Sequence, residues 1–278
     1  MIRIRSCEGI GELEACVDLQ METWGYDENE AVPLKTFLLA QKIGGQVMGA
    51  FEEIDGEREP GTEGPEKLVG FAMSLPGIKT VDGRPIPYLH SHMLAVRPQC
   101  RNRGIGAQLK WEQRLEALDR GIRHMEWTFD PLEIKNAFLN IHRLGAICRV
   151  YHENFYGVSS SRLQGGLPTD RLLAEWELDS PRVQARLQAH LDRSPAADQG
   201  IEERILVPAS IAEWKASGAG GKLALATQLE NRRKFLEAFA RGLSVVGFTR
   251  DAEENGVYEL SALPAAEKVP SGEASTSL

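Results

Sequence analysis

The segment HMLAVRPQCRNRGIGAQL, residues 92–109, breaks an apolar run at Arg97-Pro98 and opens a helix through a basic turn that carries glycines. Backbone N–H groups at a helix start have no partner inside the helix, and the helix dipole favours anions there. Gly104 and Gly106 permit close approach of a phosphate and the positive φ such a turn needs. Arg101 and Arg103 add donors that stay charged at any working pH. These types at this spacing fit a diphosphate cradle over 101–107. A helix start that is merely basic fits them as well, because a lone GxG is weak.

Proton chemistry has its own candidates. His90 and His92 lie two apart on an expected strand and should project to one face. Imidazole tunes easily toward neutral pH, so either can be a base; a hydrogen-bonded structural pair is the competing reading. No carboxylate or cysteine near His-Ser-His completes a metal set, and no metal is expected. Glu126 lies within the next strand, facing a pocket or paired as a charge. Asp130-Pro131 at its end reads most simply as an N-cap and a first-turn proline. GAGGKL at 218–223 lacks the first glycine and the Ser/Thr of a nucleotide loop and reads as a flexible loop. ENRRKF at 230–235 reads as a solvated basic face.

The elements that must position these residues follow from periodicity. A short strand over 2–5 precedes a helix marked by Ile10, Leu13, Val17, Met21 and Trp24, and a second helix runs near 33–42 until Gly44-Gly45. Strands follow at 46–53 and 67–75, joined by the polar loop DGEREPGTEGPE, and then at 88–96. The turn leads into a helix over 104–120 with Ile105, Leu109, Leu115, Leu118 and Ile122 inward. Next come a strand at 124–129, a helix from Asp130-Pro131 to Leu144, and strands at 146–150 and 171–178. Beyond residue 180 a helix over 181–191, the linker RSPAADQG and a strand at 204–207 are expected. A helix over 225–241 with Leu225, Leu229, Leu236 and Phe239 inward, then a hairpin at 243–249 and 257–260, complete the pattern. The division expected is 1–180, 181–262 and a disordered tail over 263–278.

Composition bounds the function. The chain has 278 residues, 42% hydrophobic and 26% charged, enough for a sizeable core. A net charge of −8 argues against nucleic acid as the main partner. No apolar run reaches the roughly 18–20 residues that cross a bilayer, so no membrane association is expected. The charged N-terminus does not read as a signal peptide. Cys7, Cys16, Cys100 and Cys148 are scattered, without CxxC spacing or an adjacent base motif. Reduced thiols and a cytoplasmic location are the expectation.

Arg101-Asn102-Arg103-Gly104-Ile105-Gly106 resembles the (Gln/Arg)-x-x-Gly-x-(Gly/Ala) motif of the GNAT superfamily of acyltransferases, and the element order to about residue 155 is similar to that family's. The resemblance covers a little over half of the chain. It implies an α/β (α+β) fold with a mixed, mostly antiparallel central sheet flanked by helices, followed here by a smaller α+β extension. It implies acetyl-coenzyme A or another acyl-coenzyme A as co-substrate. Leu94, Ala95 and Val96 then match the strand that pairs with the pantetheine arm, and Arg101, Asn102, Arg103, Gly104, Ile105, Gly106 and Ala107 span the diphosphate loop. NAFLNIHRLGA aligns with the family's next helix, with Ile141 where a tyrosine that protonates the leaving thiolate usually stands. Asn136 and Asn140 are the candidate substitute donors to the cofactor, and Tyr151 the candidate displaced acid. The family's habit of placing a base on the fourth strand makes His90 the closer match, with His92 beside it.

The function these implications give is direct acyl transfer to a small-molecule or peptide amine, with Tyr151 to Tyr156 walling the acceptor or simply packing. A noncatalytic coenzyme A-binding or sensing protein is the alternative, and a structural protein that keeps only the fold is the third. The extension is expected to narrow acceptor access, to lie at a homodimer interface, or to be a degenerate second copy of the fold.

Overall fold

The computed structural model describes residues 2–25, 30–54, 66–157, 159, 161, 163–192, 200–217 and 220–263. The expected loop over 55–65, the linker over 193–199 and the tail from 264 lie outside the described residues; Leu263 itself is buried. Two compact units are formed, Met1–Pro76 with Leu89–Ile122, and Gly77–Tyr88 with Arg123–Leu278.

In the first unit, β1 (Ile2–Ser6), β2 (Gln46–Glu53) and the 66–76 and 89–96 parts of β3 (Glu66–Val81) and β4 (Arg84–Val96) are neighbours in that order. β1 and β2, and β2 and β3, run antiparallel. One face carries Phe51, Phe71, Met73, Met93 and Ala95 against α1 (Gly9–Trp24) and α2 (Leu34–Lys42), through Leu13, Cys16, Leu19, Phe37 and Ala40. The other carries Met48, Ala50 and Ala72 against Ile105 and Leu109 of α3 (Ile105–Asp119). Gly44 ends α2 in the left-handed region at φ +94°, and a Cβ on Gly45 would lie 2.2 Å from the Ser74 carbonyl, so only glycine fits there.

Two expected inward residues point out. Ile10 is exposed on α1, whose buried residues are Leu13, Cys16, Leu19 and Gln20. Leu115 is exposed on α3, where Lys110, Gln113 and Arg114 are buried instead. The Gln20 side chain bonds both backbone groups of Val32, which makes a buried polar position on α1 tolerable.

The second unit orders its strands β5 (His124–Phe129), β7 (Arg171–Glu177), β6 (Ile147–His152), β9 (Leu243–Arg250), β10 (Gly256–Ala262) and β8 (Glu203–Val207). Its neighbouring strands pair antiparallel. The units therefore do not follow the 1–180 and 181–262 division, because β9 continues the earlier sheet through Cys148 opposite Val245. One difference in pairing separates the extension from the N-terminal order. Its strand–helix–helix–hairpin order repeats that of the N-terminus, but β8 pairs with β10 whereas β1 pairs with β2.

Helices of this unit depart from expectation in phase. The helix expected from Pro131 begins at Ile134, as α4 (Ile134–Ala137), and widens into a π-helical turn over Phe138–Arg143. Asp130 is not its N-cap: its Oδ1 accepts from Leu132 N at 2.8 Å, and Oδ2 accepts from Lys215. The helix expected over 181–191 is α5 (Pro181–Asp192), and Lys215 belongs to α6 (Ile211–Ala216), a helix the sequence pattern did not reveal. Gly221 to Leu223, expected in a loop, start α7 (Gly221–Ala240). Leu225, Leu229 and Leu236 face outward on α7, and its buried stripe is Ala224, Gln228, Asn231, Phe235 and Ala238. Gln228 and Asn231 donate to the carbonyls of Pro168 and Leu206, so hydrogen bonding decides the face rather than side-chain size.

Candidate anion-binding turn and its surroundings

The turn before α3 is assembled from the end of β4 outward. Pro98–Cys100 forms one 3₁₀ turn, Asn102 takes φ +62°, and Gly104 takes φ +79° as the residue before the helix. Asparagine and glycine are the residues that bear left-handed backbone best, which explains both positions. The first amide of α3 with an in-register acceptor is Gln108, bonded to Gly104 O at 3.1 Å. The amides of Ile105, Gly106 and Ala107 precede it in the first turn, where helix geometry supplies no acceptor. Arg101, Asn102, Arg103 and Gly104 are exposed; Ile105 and Ala107 are buried and anchor the helix mouth.

Three arginines surround this mouth. Arg97 donates through Nε to Leu68 O and pairs with Glu22 of α1. Arg103 pairs with Glu52 at the end of β2, Nη2 to Oε1 at 2.8 Å. Arg101 spends Nε on Val96 O at 3.1 Å, which fixes the root of its guanidinium group at the strand end. Leu94 and Val96 pack on the α3 side with Ile105 and Leu109, and Ala95 on the α1–α2 side.

Burial alternates along β4: Leu89, Ser91, Met93 and Ala95 are buried, while His90 and His92 are the more open positions between them. Ser91 accepts from Lys110 of α3 at 2.9 Å, and Leu94, three residues on, also faces α3. An even spacing would be needed for both to share a face, so the strand's facing shifts between 91 and 94, while His90 and His92 stay close enough for the charge of one to act on the other. His92 is exposed and His90 half-buried. Desolvation by its surroundings, then the charge of His90, holds His92 below the ordinary histidine range.

Lys110 is the residue sequence reasoning missed. Gly106, Lys110, Gln113 and Ala117 recur at gaps of 4, 3 and 4, a helical stripe in which a lysine reads as misplaced. The structure buries that stripe's Lys110 and Gln113, and burial pushes the lysine well below its ordinary pKa. The unfolded chain then binds the proton more readily, so stability rises with pH from the depressed value up to about 10.5. Lys110→Met is expected to flatten that rise, by up to about 1.4 kcal/mol per pH unit within the window. Urea denaturation of both proteins at pH 7 and 9.5 measures it; parallel slopes would count against the depressed value.

Asn136, Asn140 and Tyr151 belong to the second unit. Four residues apart on an α-helix, the two asparagines would share a face. The π-turn changes the phase between them, leaving Asn136 exposed and Asn140 buried. Ile141 is fully buried. Tyr151 is buried, and its hydroxyl donates to Asp170 Oδ2 at 2.7 Å. Burial, then that hydrogen bond, pushes the phenol far above its usual range. A proton so held is a poor one to give away, and these contacts weigh toward a structural place for Tyr151. Asp170 itself is 0% exposed and also takes Asn154 N and a two-pronged contact from Arg232, at 2.9 and 2.8 Å.

Glu126 is a paired charge. It lies 3.3 Å from both Lys79 Nζ and His124 Nε2. His124 is buried, with Nδ1 on Glu177 and Nε2 also 2.5 Å from Lys79. Burial pulls this histidine's pKa down, but hydrogen bonds to Glu126 and Glu177 outweigh it and the net shift is upward. Beyond β6, Phe155 and Tyr156 are exposed, with Tyr156 Oη 2.9 Å from Thr128 Oγ1. The four cysteines are buried free thiols. Among the described residues no group of three or more His, Cys, Asp or Glu is placed to hold a metal, and no helix is long and apolar enough to cross a membrane.

No family model and no curated protein sequence matches the chain. Solved structures do match. The ribosomal-protein-S18-alanine N-acetyltransferase from Escherichia coli is 17% identical, over 65% of this chain and 96% of its own, with a TM-score of 0.45. An N-acetyltransferase from Staphylococcus aureus Mu50 is 16% identical, over 64% and 99%, with a TM-score of 0.45. A GNAT family acetyltransferase from Elizabethkingia anophelis with acetyl-CoA bound is 16% identical, over 63% and 97%, with a TM-score of 0.41. The likeness is one of fold. At these values it identifies neither substrate nor site, and the functional reading rests on this chain's own residues.

Proposed function

We propose that the chain binds an acyl-coenzyme A at the mouth of α3 and moves its acyl group directly to an amine. One observation carries this reading: exposed Arg101 and Arg103 flank a 15-residue helix whose first-turn amides have no acceptor within the helix. Those charges and amides suit the diphosphate of a coenzyme A. Ala95 and its neighbours on β4 lead into the same turn and suit the pantetheine arm.

In direct transfer the amine nitrogen attacks the thioester carbonyl, a C–N bond forms and the C–S bond breaks. The amine proton must pass to a base, often through water, and the departing thiolate must gain a proton. His90 is assigned the base role. His92, held below the ordinary histidine range, stays neutral beside it at pH 7. Release of free thiol from acetyl-coenzyme A over a panel of amines tests the reaction. His90→Ala is expected to slow that release by about 10²–10⁴-fold while calorimetry finds acetyl-coenzyme A binding unchanged. Turnover equal to the parent's across the pH range would remove His90 from the mechanism.

A second reading, noncatalytic binding of coenzyme A, is favoured by one pair of facts. Ile141 fills the family's tyrosine position, and Tyr151 is committed to Asp170. Calorimetric binding of acetyl-coenzyme A without thiol release from any amine would establish it over the enzyme.

A further inference from the structure

The basic turn is less charged than its sequence suggests. Of its three arginines, Arg97 is paired with Glu22 and tied to the Leu68 carbonyl, and Arg103 is paired with Glu52; the contact at Arg101 is to a carbonyl, with no carboxylate paired to it among the described residues. The two ion pairs differ in setting. The Arg97 side chain is largely buried and also serves a backbone acceptor, so its contacts belong to the fold. The Arg103–Glu52 pair is open to water at both ends, with side chains 46% and 35% exposed, and Arg103 has no part in the core. Glu52 belongs to the last residues of β2, outside the interdigitated faces of the sheet, and its neighbour Glu53 is exposed.

We infer that Glu52 is an exchangeable counter-ion: it occupies the Arg103 guanidinium until an anionic ligand displaces it, and so sets the affinity of the turn for phosphate-bearing molecules. The inference rests on the reading of this turn as an anion site. Its physical basis is competition. A guanidinium donor bonded to a carboxylate must release it before it serves a phosphate. An exposed pair of this kind is weak enough to exchange. Arg101 therefore engages the ligand at full charge, whereas Arg103 engages at a discount that Glu52 determines. Salt acts twice in the parent, weakening both the ligand contact and the internal pair that opposes it. Its net effect on affinity is thereby reduced.

Glu52→Gln keeps the size of the side chain and removes the charge. Calorimetry with acetyl-coenzyme A and, separately, with inorganic pyrophosphate is expected to show binding tighter by about 1.5–5-fold. The loss of affinity between low and high salt should be steeper than in the parent. In an Arg103→Met background the same substitution should change neither quantity. Equal or weaker binding by Glu52→Gln would overturn the inference while leaving the anion site standing, because Glu52 would then be orienting Arg103 rather than opposing its ligand. A parent protein that binds neither probe removes the anion site, and the counter-ion role with it.

Discussion

Arg232→Met is expected to destabilise the second unit by about 3–5 kcal/mol, the cost of leaving a buried carboxylate without its cation. Asp170 is wholly buried and accepts four hydrogen bonds, from Tyr151, from Asn154 N and twice from Arg232. Arg232 also reaches Glu153, but that pair is at the surface and contributes little. The guanidinium ties α7 to the segment between β6 and β7, so its loss frees an element of the sheet's cover as well as a charge. Tyr151→Phe should cost less, about 1.5–3 kcal/mol, since one donor to a charged acceptor is lost and three remain. Asp170→Asn in the Arg232→Met background should recover part of the loss, because the uncompensated charge is gone. Denaturant midpoints for the four proteins check the series. The same Tyr151→Phe protein, if it folds, should keep its rate of thiol release. A collapse of that rate at unchanged stability would place the acid role on Tyr151.

Which parts were legible in the sequence follows from what each part needs locally. β5 was read with its observed ends, and α2 and α3 to within a residue at either end, since breakers and apolar periodicity mark them without tertiary help. The turn at 101–104 was legible because left-handed backbone demands particular residues there, as at Gly104. Faces decided by buried polar partners were not. Leu225, Leu229 and Leu236 look like a core stripe until Gln228 is seen bonded to the Pro168 carbonyl and Asn231 to the Leu206 carbonyl of β8. ENRRKF read as a solvated basic face, which is true of Arg233 between Glu230 and Glu237 and false of Arg232. No local pattern marks Asp170 as its partner, 62 residues away.

Arg101→Ala should raise the dissociation constant for acetyl-coenzyme A by about 10–100-fold, the equivalent of about 1.5–3 kcal/mol for hydrogen bonds to a charged group. Arg103→Ala should do less, because its gain on binding is offset by release of Glu52. The order matters more than either value. If the turn recognised only net positive charge, the two arginines would be equivalent, and the more exposed would be as useful as the other. Arg101 is distinguished by a guanidinium whose root is fixed on Val96 O at the end of the strand that leads into the helix. Its ordering is therefore already complete before a ligand arrives, and less entropy is lost on binding. Pantetheine, which lacks the diphosphate, separates this from a general loss of fold: its weak binding should be the same in Arg101→Ala and the parent. A pantetheine affinity that fell in step with that of acetyl-coenzyme A would show that Arg101 supports the strand rather than the diphosphate. Equal losses for Arg101→Ala and Arg103→Ala would show that the mouth of α3 responds to charge alone.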